Sequence, residues 1–132
     1  MQNNQLKQLI DTSSRIILKV GSSLLINENN NDINYQWLKK FSKEIQSLTN
    51  KKKQIMIVSS GSVALGRKQL NLVKNLSLDE KQAAAAVGQI HLSHAWKEVL
   101  KSFNLESAQI LLAPDDTETR RKHLNARATL LK

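Results

Sequence analysis

The stretch Ile55-Met56-Ile57-Val58-Ser59-Ser60-Gly61-Ser62-Val63-Ala64-Leu65-Gly66 constrains the fold more than any other part of the chain. Its apolar run, Ile55 to Val58, is short, continuous and rich in β-branched residues, which is the pattern of a strand buried on both faces of a parallel sheet. The run stops at Ser59-Ser60-Gly61, small residues that let a ligand come close to the main chain. A helix-compatible segment from about Ser62 to Leu70 follows at once. Strand, small-residue turn and helix, in that order, aim main-chain N–H groups and the positive end of a helix at an anion. In an open parallel sheet ligands bind beyond the carboxyl ends of the strands, where this turn lies. A plain tight β-to-α connection would carry the same residues, so the stretch by itself leaves both readings open.

The rest of the chain supplies the partners such a strand needs. Arg15 to Val20, centred on Ile16-Ile17-Leu18, reads as a first strand, and it runs into Lys19-Val20-Gly21-Ser22-Ser23 before a second short apolar run, Leu24-Leu25-Ile26. Asn27 to Asn34 reads as a loop, because asparagine favours turns and tolerates left-handed backbone. Trp37, Leu38, Phe41, Ile45 and Leu48 recur at intervals of three and four and predict an amphipathic helix over Tyr35 to Thr49. Asn50 and the lysines at 51–53 form its exit, where cations suit a helix C-terminus. A long helix through Gln82 to Ser102 is expected after the Ser77-Leu78-Asp79-Glu80 entry, with Ala83 to Ala86 allowing close backbone packing. Ser107 to Leu112 is a third apolar run of strand length, stopped by Pro114 and Asp115-Asp116, and Thr117 is placed to cap a final helix. Residues 1–13 carry too little apolar material to predict more than a flexible N-terminal arm. Strands alternating with crossover helices argue a parallel α/β sheet of three or four strands.

A chain of 132 residues with 40% hydrophobic content suits one small domain, here residues 14–132. There is no cysteine, which excludes disulfides and thiolate chemistry. No apolar run approaches the roughly 20 residues of a membrane-spanning helix, and Met1 to Asp11 has no signal-peptide core. A cytoplasmic location is the expectation. A net charge of +9 raises the question of nucleic acid. The lysines are scattered, however, and aromatics, at 4% of the chain, do not interleave with them as stacking platforms would. The surface is read as lysine-rich, solvated and attractive to small anions, with neither nucleic acid nor membrane as partner.

Several motifs fail on inspection. Gly61 and Gly66 are spaced like a P-loop, but Arg67 and Lys68 stand where lysine and serine or threonine would be required. Four glycines, at 21, 61, 66 and 88, leave no dinucleotide fingerprint. His91 and His94 lack an acidic co-ligand at useful spacing and are read as surface or partly packed residues, so no metal site is assigned. Asp115, Asp116 and Glu118 are read as acids stabilising a helix start. Ser59, Ser60 and Ser62 have no recognisable base in sequence, which argues against a serine nucleophile. What remains is Lys19 beside Gly21 and Ser22, and Ser60 beside Gly61 and Ser62, both just past strand ends. If the two strands are neighbours, the loops meet at one edge, where a lysine can offset charge on a phosphoryl group and glycine and serine N–H groups can bind oxygens. Alone, Lys19 reads rather as an ordinary strand-end lysine reaching solvent.

Taken together, Ile17-Leu18-Lys19-Val20-Gly21-Ser22-Ser23-Leu24, Ile57 to Gly66, Gln82-Ala83-Ala84-Ala85-Ala86-Val87-Gly88-Gln89, Ala108 to Leu112, Arg120 and Leu124-Asn125-Ala126-Arg127-Ala128-Thr129-Leu130 resemble the amino-acid kinase family in order and spacing. The first two segments are general to that family. The alanine-rich stretch and Leu-Asn-Ala-Arg point to its glutamate-phosphorylating branch. The resemblance implies an αβα sandwich with a parallel sheet, truncated here to its N-terminal half, and transfer of the γ-phosphoryl of ATP, with Mg2+, to the side-chain carboxylate of L-glutamate at the entry to proline biosynthesis. It implies that Lys19 contacts ATP phosphate as the catalytic cation, that Gly21 and Ser22 shape the phosphate loop, and that Ser60, Gly61 and Ser62 hold glutamate, although the family usually has alanine where Ser62 stands. Full-length members of the family are expected to be homo-oligomers. The family pattern continues with an aspartate and an Asn-Asp pair that bind glutamate and organise the site, and then with a nucleotide-binding half bearing a second catalytic lysine. The 132 residues hold none of these, so the chain is expected to be the glutamate-side part, with the nucleotide-binding half absent, and to be inactive alone. The alternatives are another amino-acid kinase acting on a carbamate, an amino-acid derivative or a nucleotide, and a non-catalytic module binding a small anion or nucleic acid.

Overall fold

A computed structural model describes residues 2–27, 29–73, 75–113 and 115–132. Its centre is a pair of parallel six-residue strands, β1 (Arg15–Val20) and β4 (Gln54–Ser59), in register from Arg15 opposite Gln54 to Val20 opposite Ser59. Between them the chain forms a helical turn α2 (Ser22–Leu25), a two-residue antiparallel ladder of β2 (Ile26–Asn27) with β3 (Asp32–Ile33), and α3 (Tyr35–Asn50). After β4 come α4 (Ser62–Gln69) and the long α5 (Leu78–Ser102).

The core lies on one side of the sheet. Leu18 and Val20 of β1, with Ile55 and Ile57 of β4, face Leu38 and Ile45 of α3 and Leu92, Ala95, Trp96 and Val99 of α5. The helix expected from its apolar spacing is in place as α3, and its Trp37 and Phe41 rings stack at 4.7 Å, with Trp96 meeting Phe41 edge-on at 6.1 Å. Helix α5 starts in a capping box: the Glu80 N–H donates to Ser77 Oγ, and the Ser77 N–H donates to the Glu80 carboxylate. The two long helices are also joined at their ends, where Gln46 Nε2 donates to the Phe103 carbonyl at 2.6 Å.

The outer face of the sheet departs from the sequence expectation. Ile17 is 63% and Val58 50% exposed, so β4 is buried on one face and not on both. Three or four strands were expected in the parallel sheet; two are present among the described residues. Leu24-Leu25-Ile26 is mostly a helical turn, because Gly21 opens a first turn closed by Leu24 N–H on the Gly21 carbonyl, and only Ile26 and Asn27 pair as strand. The asparagine-rich loop is the tip of that ladder, with Asn31 in the left-handed region at φ 49°. Ser107 to Leu112 forms no strand ladder among the described residues, and Leu111 is 72% exposed. A strand is a ladder before it is a sequence, and this run finds no neighbouring edge to pair with.

Both ends of the chain are helical. The arm expected at 1–13 is α1 (Gln2–Thr12), in which Gln, Leu and Lys are the stronger helix formers, and its C-terminal end is tied down by Lys53 Nζ, which donates to the Asp11 and Ser13 carbonyls. The final helix is split into α6 (Asp115–Glu118) and α7 (Arg120–Leu130), so Thr119 takes the cap position expected at Thr117. Pro114, expected to stop the preceding run, lies outside the described residues.

Candidate functional site

The parallel pairing of β1 and β4 brings the two small-residue turns to one edge. Beyond Val20 and Ser59 the chains stay joined: the Ser60 N–H donates to the Val20 carbonyl at 3.1 Å, and Ser60 Oγ donates to the same oxygen at 3.2 Å. Gly61 then turns at φ 121°, a conformation that L side chains rarely adopt. A Cβ placed there would stand 3.0 Å from Ile26 Cγ1 and 3.8 Å from Ser22 Cβ. The Gly21-Ser22 turn and the Ser60-Gly61-Ser62 turn are therefore in contact.

Two helices begin at this junction, each with glycine at the cap, and neither cap carries a side-chain hydrogen bond. The first-turn N–H groups of α4 have no intrahelical acceptor. A helix N-terminus of this kind can donate to an anion. Lys19 sits opposite Val58 in the ladder, exposed, and among the described residues it makes no ion pair. Strand spacing and rise put its Cα about 8 Å from that of Ser60, within the span of a flexible lysine stem. All the sequence-predicted site residues, Lys19, Gly21, Ser22, Ser60, Gly61 and Ser62, thus gather at one sheet edge, none of them fully buried. Ser60 has one restriction. Its N–H and its hydroxyl proton are both directed at Val20, which leaves its oxygen free to accept from a ligand ammonium.

The edge is held from behind. Gly66 of α4 and Gly88 of α5 let those helices touch backbone to backbone: a Cβ on Gly88 would stand 1.8 Å from the Ser62 carbonyl oxygen, and one on Gly66 1.7 Å from the Ala84 carbonyl oxygen. From the other side Trp96 Nε1 donates to Ser59 Oγ at 3.0 Å. The cations Arg67 and Lys68, set aside as failed P-loop residues, hold the β2–β3 ladder against α4: Arg67 donates to Asn31 Oδ1 at 2.9 Å, and Lys68 pairs with Asp32 at 2.6 Å. The Lys68 hydrogen bond is the main reason the Asp32 carboxyl titrates below its ordinary value. Sequence reasoning missed Trp96 and the helical glycines in this role, although a glycine inside a helical pattern is itself a sign of close packing.

Beside the edge an open groove of about 670 Å3 lies between α5 and the 107–112 segment, bordered by Ser62, Gln89, Ser93, Lys97, Gln109 and Leu111. The remaining candidates do not join the site. His91 and His94 are exposed on α5, and no group of three histidine, aspartate or glutamate side chains with metal-binding geometry exists among the described residues. Asp115 accepts from Lys122 and Thr119, which lowers its pKa, Lys122 foremost, and ties α6 to α7.

Comparison with known proteins places this geometry in context. The profile described as "Amino acid kinase family" matches residues 14–132. A glutamate 5-kinase of Paramagnetospirillum magneticum is 46% identical over 118 residues, which are 89% of this chain and 32% of that protein. A glutamate 5-kinase of Rhodopseudomonas palustris is 49% identical over 119 residues, again 89% and 32%, and one of a Ruegeria species is 42% identical over 122 residues. The chain spans about a third of the length of the curated relatives it matches.

Proposed function

The chain belongs to the amino acid kinase family, and from that premise we propose that it builds the glutamate side and the first phosphate loop of an ATP-dependent kinase acting on the side-chain carboxylate of L-glutamate. In this reaction a carboxylate oxygen of glutamate bonds to the γ-phosphorus of ATP as the bond from that phosphorus to the bridging oxygen breaks, giving L-glutamyl 5-phosphate and ADP. ATP brings the phosphoryl group together with magnesium, whose charge offsets that of the phosphates, and no residue here is assigned as a metal ligand. Lys19 holds its ammonium against the phosphate oxygens and stabilises charge as it spreads over the transferring group. Gly21 and Ser22 shape the loop beside it. Gly61 and Ser62 present the N–H groups of the α4 start to a glutamate carboxylate, and Ser60 Oγ accepts from its ammonium.

The observation that carries this reading is the contact between the two turns, through Ser60 on Val20 and Gly61 against Ser22, with Lys19, which makes no ion pair among the described residues, one residue before the end of β1. The name shared by the relatives supports the choice of glutamate. The same premise extends to the surroundings. The bare outer face at Ile17 and Val58 is the side a second helical layer would cover in a full αβα sandwich. Homo-oligomeric assembly of the full-length protein and a cytoplasmic setting are part of the same proposal. Among the described residues no helix is long and apolar enough to cross a membrane.

Two measurements test it. Titration of the 132-residue chain with Mg-ATP should give weak binding, through the first phosphate loop alone, that Lys19→Met weakens about tenfold, the value of one charge-assisted contact; unchanged affinity removes Lys19 from the phosphate site. Incubation of the chain with ATP, magnesium and L-glutamate, with hydroxylamine to trap acyl phosphate, should give no hydroxamate above background. Turnover under those conditions would overturn the assignment of the chain to one side of the reaction.

A further inference from the structure

We propose that α5 is the positioning element of the glutamate turn, gripping it on both sides, with Trp96 as the positioning residue that acts through Ser59. This rests on the reading of Ser60, Gly61 and Ser62 as the glutamate-binding turn. Residues on one side of the turn are fixed by a directed hydrogen bond: the Trp96 indole N–H donates to Ser59 Oγ at 3.0 Å, and Ser59 Oγ points on to the Ser60 carbonyl at 3.5 Å. On the other side Gly88, two helical turns earlier on the same α5, leaves just enough room for the Ser62 carbonyl. The turn between these two points is three residues long and includes the φ 121° of Gly61.

Trp96 is well suited to this task. It is 9% exposed and wedged against Phe41, so its ring cannot swing to find another acceptor. A packing role alone would be met by phenylalanine, which has no N–H. Ser59, the last residue of β4, faces the core, where a valine or isoleucine would continue the apolar pattern of Ile55 and Ile57. A hydroxyl there is explained by the indole donor it satisfies. The orientation of the Ser60 carbonyl and of the N–H groups that follow it is set by that pair, at no cost to the ligand-facing atoms.

The test uses the 132-residue chain and four variants: Trp96→Phe, Ser59→Ala, the double variant, and Ser59→Thr, which keeps the hydroxyl. Titration with L-glutamate should show each of the first two weakening affinity about five- to tenfold, the double variant no weaker than the poorer single one, and Ser59→Thr close to wild type. Additive losses, or affinities all within twofold of wild type, overturn the proposal. Failure of the wild-type chain to bind L-glutamate would count against the proposed function instead. Amide hydrogen exchange then decides the positioning claim independently. Trp96→Phe and Ser59→Ala should each speed exchange at the Ser60 and Leu65 N–H groups about tenfold while the Ala95–Leu100 region of α5 keeps its protection. Unchanged exchange at the turn, or loss spread evenly along α5, overturns it.

Discussion

The edge formed by β1, β4, α4 and α5 and the tail formed by α6 and α7 are built on opposite principles. At the edge, backbone touches backbone: Gly66 and Gly88 have no space for even a methyl group, and Leu65, Ala84, Leu92 and Trp96 are buried around them. In the tail no residue of α6 or α7 is buried, and side chains at the surface, Asp115 with Lys122 and Thr119, join one short helix to the next. The difference teaches that precision in this molecule is concentrated around the turns that follow β1 and β4. Close packing tolerates no change of volume, whereas a solvated helix tolerates most.

Four changes would break or sharpen that contrast. Gly88→Ala should have the largest effect, because the clash is with main-chain atoms that no side-chain rotation can relieve; a loss of about 3 kcal/mol or more in urea unfolding is expected, and a loss below about 1 kcal/mol would show that α4 and α5 are free to part. Gly61→Ala comes next. Strain at its positive φ and the 3.0 Å approach to Ile26 should cost about 1–3 kcal/mol, measured in the same way, with altered exchange at the α4 start. Acidification gives a smaller effect. The Asp32 carboxyl titrates below its ordinary value of 3.8 in the folded chain, so its pairing with Lys68 stabilises the fold above that value and is lost as pH falls through the lowered one. Since both side chains are substantially exposed, Asp32→Asn should remove no more than about 0.5 kcal/mol at neutral pH and flatten the acid limb of the stability curve. Leu124→Ala, on an exposed position of α7, should change stability by less than about 0.5 kcal/mol; a larger loss would mean the tail packs more firmly than its exposure indicates.

Where local pattern and burial agree, the sequence was readable. The apolar spacing of α3, the Ser77–Glu80 entry to α5, the two strands and the turns that follow them all lie where the residues point. Of the features that were not readable, three show the physical reason most directly. Ser107 to Leu112 has the composition of a strand, but pairing depends on a neighbouring edge, which composition does not contain. Leu24 to Ile26 is apolar in either conformation, and the turn at Gly21 decides in favour of a helix. The role of Trp96 depends on a hydroxyl 37 residues away, and nothing in the spacing of either residue announces the other. The convergence of Lys19, Gly21, Ser22, Ser60, Gly61 and Ser62 follows from strand adjacency alone, which is why it could be anticipated.

The interlocked backbones of α4 and α5 have a consequence for motion. Neither rod can roll or slide along the other without driving carbonyl oxygens into Cα atoms, so the pair behaves as a single stiff piece and the turn at its tip as a fixed post. Anything that binds at that turn has to fit it as it stands, because the two helices behind it offer no slack to reshape it.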